Sequence, residues 1–167
     1  MAQMATDDEL TGLYNRRYFM EALERECERA KRFGNELILC ILDLDHFKKV
    51  NDTYGHPTGD MVLKEFAGLL KSASRRNDIV CRYGGEEFTV ICTGGTDIDV
   101  IKFYNRLQAL LEKLVFNHNG KEFHMTASAG AAEFYKETLN HSEQLLKAAD
   151  DALYAAKQAG RNRLVVR

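Results

Sequence analysis

Apolar residues recur at steps of three and four along the N-terminal part of the chain, at Phe19, Leu23, Cys27, Ala30 and Phe33. That spacing predicts a helix, and Gly34 stops it. Residues 37–42 form an unbroken apolar run ending at Asp43, the pattern of a buried central strand. A polar stretch over 46–53 predicts a short helix. A longer one follows from about Thr58 to about Ser72, turning Val62, Phe66, Leu69 and Leu70 inward. Residues 79–83 and 88–92 are strand-like and flank Gly84-Gly85-Glu86-Glu87, a hairpin pattern. From Asp97 a helical spacing places Ile101, Tyr104, Leu107, Leu111 and Leu114 on one face. Phe123, Met125, Ala127, Ala129 and Ala131 then alternate as a strand. Ser142 is the expected N-cap of a last helix through Leu145, Leu146, Ala149, Leu153 and Ala156, which Gly160 ends. Residues 164–166 close the chain as a short strand. A hairpin in the middle of this order argues against an all-parallel doubly wound sheet. The expected class is α+β, a mostly antiparallel mixed sheet surrounded by helices.

Length and composition narrow this picture. The 167 residues suit one domain with a sizeable core, and two would be cramped. Residues 1–6 read as an expression remnant or a linker, leaving 7–167 as the domain. Hydrophobic residues make up 45% and charged ones 29%, a soluble balance, and no apolar run approaches the roughly 20 residues of a membrane span. The net charge of −2 argues against a nucleic-acid-coating protein, so any phosphate chemistry needs a local group of cations. The four cysteines, Cys27, Cys40, Cys81 and Cys92, lack metal-binding spacing and read as buried thiols, which places the chain in the cytoplasm.

Asp43 stands where an apolar strand ends. Alone it would cap the following turn. If strand 37–42 pairs with a hairpin strand, however, Glu86 and Glu87 come within reach of it. Three converging carboxylates repel one another unless a hard cation such as magnesium neutralises them. Gly84 and Gly85 leave room for a ligand to approach the backbone.

These residues bring a family into view. Gly84-Gly85-Glu86-Glu87-Phe88 resembles the GGEEF form of the motif that names the GGDEF-type diguanylate cyclases. Four further segments resemble that family in the same order: 8–17, Asp43-Leu44-Asp45-His46-Phe47-Lys48 with 51–56 and 59–60, Ser128-Ala129-Gly130, and 149–162. The resemblance implies a nucleotidyl-cyclase or ferredoxin-like fold with the motif on a hairpin. It implies condensation of two GTP into cyclic di-GMP and two pyrophosphates, by attack of each ribose 3′-hydroxyl on the other α-phosphate across a twofold homodimer. It further implies magnesium, with manganese as a substitute, held by Asp43, the Leu44 carbonyl, Glu86 and Glu87. Glu86 is also the family's candidate base, a weak one when metal-bound. A sensor or receiver domain is expected N-terminal to the cyclase in the full-length protein, which would lie in the cytoplasm or on the cytoplasmic face of a membrane.

Residue by residue, the resemblance makes Asn51 and Asp60 the guanine readers, because a carboxylate accepting from N1–H and the 2-amino group is left unsatisfied by adenine. His56 holds the loop between them. Lys48, Lys157 and Arg161 would neutralise the triphosphate, the last two spaced four apart at a helix end. Amides of Phe47 and Lys48 would add donors to phosphate oxygens. Arg75-Arg76-Asn77-Asp78 is an RxxD at the family's spacing from the motif, where Arg75 and Asp78 would bind cyclic di-GMP as an inhibitor. Two other functions compete with an active cyclase. One is a catalytically silent GTP- or cyclic di-GMP-binding signalling module, whose relatives lose acids in the motif as this chain does not. The other is a cyclase acting on ATP, against which Asp60 argues.

Overall fold

The chain's structure is a computed structural model that describes residues 5–135 and 137–167. At its centre lies β1 (Leu37–Leu44), all eight residues of which are buried. It pairs antiparallel with β3 (Glu87–Thr93) on one side and with β6 (Ala127–Glu133) on the other. Outside β3 lies its hairpin partner β2 (Ile79–Gly84), and outside β6 lies β7 (Leu164–Val166), which pairs with it in parallel. A strand enclosed on both edges and both faces needs a continuous apolar run, which is what 37–42 provides. The mixed, mostly antiparallel sheet and the α+β class match the sequence-based expectation.

Alternation along β1 divides the core. Leu37, Leu39 and Ile41 pack with Phe19 and Leu23 of α1 (Arg16–Phe33) and with Leu145 and Leu153 of α5 (Ser142–Gln158). Ile38, Cys40, Leu42 and Leu44 face the other way. They pack with residues of α2 (Phe47–Tyr54), α3 (His56–Ala73) and α4 (Asp97–Lys113), Phe66 and Leu107 among them. Each fully buried Leu or Phe contributes about 1.5–3 kcal/mol of transfer free energy. Helix α5 sits close on β6: a Cβ at Gly130 would lie 2.0 Å from the Leu153 amide nitrogen. Only glycine permits that approach, which sets the height of α5 over the sheet.

Several boundaries differ from expectation. Helix α3 starts at His56, with Pro57 in its first turn, where the fixed proline φ suits a helix start. Ser142 is the first residue of α5 rather than its cap; His141 takes that place with no side-chain cap bond. On α4 the inward stripe is Val100, Phe103, Tyr104, Leu107 and Leu111, while Ile101 is 42% exposed. The two stripes share Tyr104, Leu107 and Leu111, and Val100, four residues before Tyr104, takes the inward place expected of Ile101. The Thr96–Asp99 capping box closes the helix start. The alternation over 123–131 spans two elements. A small hairpin, β4 (Phe116–His118) with β5 (Lys121–Phe123), precedes β6. Its three-residue strands are too short to show a period. Stacking of Phe116 on Phe123 at 5.4 Å holds it closed.

All four cysteines are free and buried, and burial pushes the Cys27 and Cys81 thiols to about 12. Of residues 1–6, the first four lie outside the described residues. Ala5 and Thr6 pack onto the domain, their carbonyls accepting from the Asn15 side chain at 3.1 Å and the Asn15 amide at 2.8 Å. No helix among the described residues is long and apolar enough to cross a membrane.

Candidate active site

The end of β1 carries Asp43 between two neighbours, opposite Glu87 on β3 and Ser128 on β6. Asp43 is only 7% exposed, and Lys157 from the last turn of α5 donates to its Oδ2 at 2.5 Å. Burial raises the Asp43 carboxyl, and Glu86 and Asp45 raise it further, while Lys157 works the other way. Glu87 is also raised, by burial first and Asp43 second, with smaller effects in the same sense from Asp150 and Glu86. Asp43, Glu86, Glu87, Asp150 and Lys157 therefore form one electrostatic group. Glu87 does not stand at the hairpin tip as expected. It opens β3, and the tip is Gly85–Glu86, with Gly85 at φ 49. The Glu86 carbonyl accepts the Leu44 amide at 3.3 Å, which draws the tip over the end of β1.

Arg82 braces that tip. Its Nε and Nη2 donate to the Gly85 carbonyl at 3.0 and 2.9 Å, and its Nη1 lies 3.2 Å from Asp8 Oδ1. Asp8 in turn accepts from the Thr11 amide and hydroxyl. The N-terminal turn and the hairpin are thus one bonded unit. A Cβ at Gly84 or Gly85 would meet nothing within 4 Å, so the tip stands in open space.

Beyond β1 the chain turns through His46, whose φ of 57 is left-handed, into α2. Phe47 begins that helix, so its amide and that of Lys48 belong to a first turn whose donors lack intrahelical partners. Lys48, His56 and Asp60 are exposed. Asn51 lies against Gly59: a Cβ there would sit 1.9 Å from Asn51 Oδ1 and 3.2 Å from Phe47 Cζ. Glycine at 59 therefore lets α2 and α3 close around the Asn51 side chain. Thr58, one residue earlier, shares a 2.8 Å hydrogen bond with His118 of β4. Tyr54 stacks on Phe123 of β5 at 4.6 Å, so the small hairpin props the α2–α3 junction.

The C-terminal cations depart from the helical-repeat expectation. Helix α5 ends at Gln158, and Arg161 and Asn162 follow in left-handed conformation, with φ 65 and 48. Lys157 reaches Asp43, whereas Arg161 is exposed on the turn. Asp45, to which the sequence assigned no role, holds this turn. It is 5% exposed and accepts from Ser128 Oγ at 2.6 Å, Thr126 Oγ1 at 2.7 Å and the Asn162 amide at 3.1 Å. Its place two residues after Asp43 was the one available signal.

Arg75 and Asp78 lie on the far side of the hairpin, beside a cavity of about 470 Å³ that also touches Tyr14, Lys71 and Arg76. Asp78 Oδ2 accepts the Arg75 amide at 2.7 Å, while its buried Oδ1 has no hydrogen-bond partner. The Arg75 guanidinium spans Asp78 at 3.7 Å and Asp99 at 3.9 Å. Burial raises the Asp78 carboxyl, the state of an acid short of donors.

A mixed-sheet α+β domain with acids at the end of its central strand pair is one well-defined class of fold. A family model described as diguanylate cyclase, GGDEF domain, matches residues 5–163, and the chain belongs to that family. It is 43% identical over 164 residues to the diguanylate cyclase DgcP of Pseudomonas aeruginosa, covering 98% of this chain and 24% of that protein. It is 40% identical over 165 residues to the response regulator PleD of Caulobacter vibrioides, covering 98% and 36% respectively. The chain therefore spans well under half the length of these two relatives. Its fold superposes on the GGDEF domain of DgcB from Caulobacter crescentus, solved in complex with c-di-GMP. The TM-score is 0.94 at 33% identity, covering 99% of this chain and 98% of that one.

Proposed function

We propose that the chain is a diguanylate cyclase domain, joining two GTP molecules into cyclic di-GMP with release of two pyrophosphates in a twofold homodimer. The observation that carries this reading is the strand register that sets Asp43 beside Glu87, with Glu86 at an open, glycine-lined tip next to them. The donors there are all hard oxygens in mutual repulsion, which suits magnesium or manganese. Asp43, the Leu44 carbonyl, Glu86 and Glu87 would hold it. When bound, such an ion offsets phosphate charge and lowers the pKa of an attacking hydroxyl.

The remaining roles belong to the chain itself. Amides of Phe47 and Lys48 would meet phosphate oxygens at the start of α2, and Lys48, Lys157 and Arg161 would offset their charge. Asn51, steadied against Gly59, and Asp60 would read guanine, with His56 holding the loop between them. The Arg75–Asp78 ion pair beside this cavity, with Asp78 Oδ1 making no hydrogen bond, and the neighbouring Arg76 support a second, inhibitory site for the product. A sensor or receiver domain in the parent protein would set how often two cyclase domains meet.

The test is chromatographic product analysis after incubation with GTP and magnesium at two protein concentrations. Cyclic di-GMP should form, its rate should rise more than linearly with protein, and Glu86→Gln should abolish it. Full turnover by Glu86→Gln would remove Glu86 from the site.

A further inference from the structure

Lys157 and Asp43 form the tightest charged contact in the candidate site, at 2.5 Å, and it falls on the carboxylate assigned to the metal. We propose that Lys157 is a resident counter-ion for Asp43, displaced when a divalent cation and a triphosphate arrive together. Asp43 would then be free to hold the cation, and the Lys157 ammonium would pass to a phosphate oxygen. The inference rests on the cyclase reading above and adds an order to it: the bare ion binds poorly, and ion with nucleotide binds as a unit.

The geometry favours an exchange in which Lys157 rather than Asp43 moves. The Asp43 backbone is paired on both edges, so its carboxylate cannot swing away from Lys157 by strand movement. Helix α5 is equally fixed, because its backbone rests against Gly130. What remains free is the Lys157 side chain, unbranched, on a last helical turn and 30% exposed against 9% for the Asp43 side chain. A divalent ion held by the Asp43 carboxylate would repel an ammonium that lies 2.5 Å from Oδ2, at a distance where screening is weak. Without a phosphate, the displaced ammonium would exchange a buried carboxylate for water. With a triphosphate present it gains a charge-assisted acceptor instead. Lys157 therefore penalises the bare ion and rewards ion plus nucleotide, and the coupling must be reciprocal.

A purely structural ion pair makes the opposite prediction, since its removal would loosen the site for every ligand. The experiment is a titration of Mn²⁺ followed by the electron paramagnetic resonance of the free ion. It is run on nucleotide-free protein and again with 3′-deoxy-GTP, which lacks the attacking hydroxyl. Lys157→Met should bind bare Mn²⁺ about tenfold more tightly than the unsubstituted chain, an ordinary size for coupling between two ligands. The same variant should bind Mn²⁺ with 3′-deoxy-GTP more weakly. Lys157→Arg, which keeps the charge, should retain the weak bare-ion affinity, and adding Asp43→Asn to Lys157→Met should abolish the gain. Lys157→Gln, able to donate to Asp43 without a charge, serves as a second variant should the Met chain melt early. Bare-ion affinity unchanged in both the Met and Gln variants, with normal Mn²⁺–nucleotide binding by the unsubstituted chain, overturns the exchange and leaves the cyclase reading intact. No Mn²⁺–nucleotide binding by the unsubstituted chain overturns both.

Discussion

Asp45 Oδ2 accepts the Asn162 backbone amide at 3.1 Å, tying together two positions 117 residues apart. With Thr126 and Ser128 donating to the same carboxylate, the end of β1 and the turn after α5 become one piece. Asp43 and Leu44 lie on the strand side of that piece and Arg161 on the turn, with Lys157 bridging to Asp43. Asp45→Ala would remove the acceptor of three donors, of which Ser128 is buried, and leaving a buried donor unpaired costs about 1–3 kcal/mol. The expected result is a clear drop in the denaturant midpoint, together with a KM for GTP that rises more than kcat falls. A variant with unchanged KM would show that the left-handed turn at 161–162 holds its shape without Asp45.

Gly59 makes a second, more local demand. A methyl group there would overlap Asn51 Oδ1 at 1.9 Å, so Gly59→Ala must push the amide out of its seat. The variant should weaken GTP binding, measured calorimetrically, by as much as Asn51→Ala does. Because both changes remove one arrangement, the double variant should be little worse than either single one. Additive losses would mean that Asn51 and Gly59 act separately.

What was legible in the sequence followed from short-range pattern. The apolar run at 37–42 marked the central strand, and Gly84-Gly85 marked the hairpin that brings Glu87 opposite Asp43. Long-range side-chain bonds left no such trace. The bonds from Arg82 to Asp8 and from Asp45 to Asn162 join residues far apart in the chain whose types alone read as ordinary surface polar groups. The β4–β5 hairpin escaped because three-residue strands show no period. Ile101 was misplaced because its successive three-residue steps to Tyr104 and Leu107 drift from the roughly 3.6-residue repeat that Val100 keeps. Lys157 and Arg161, four apart at a helix end, were expected to share one phosphate group, but Arg161 stands exposed on the left-handed turn after Gly160 while Lys157 reaches Asp43.

Asp8 links the hairpin brace to pH. Burial works to raise its carboxyl, yet the Thr11 hydroxyl and amide, and then Arg82, outweigh that and hold it below its usual value of 3.8. The folded chain thus releases this proton more readily than the unfolded one. Its stabilising effect is present above the unfolded value and is lost as pH falls through the folded one. Asp8→Asn should lower the urea midpoint at neutral pH, and the gap to the unsubstituted chain should narrow from about pH 5 to about pH 3. A gap that stays constant over that range would assign the loss to packing rather than to charge.

The Thr58–His118 bond tests whether the small hairpin serves the site. Thr58 lies next to Gly59 and two residues before Asp60, so its 2.8 Å bond to His118 fixes the first turn of α3 from outside. Tyr54, stacked on Phe123, fixes the end of α2 in the same way. Thr58→Val keeps the side chain's shape and removes the bond, whose net worth is about 1 kcal/mol. If the prop positions the guanine readers, that loss should appear as a KM for GTP raised about three- to tenfold with kcat nearly unchanged. His118→Ala should give the same split, and the two changes combined should not exceed the larger alone. Equal falls in kcat and kcat/KM would place the hairpin's influence on the acids of β1 and β3 instead, because only an interaction made in the transition state is lost in that proportion.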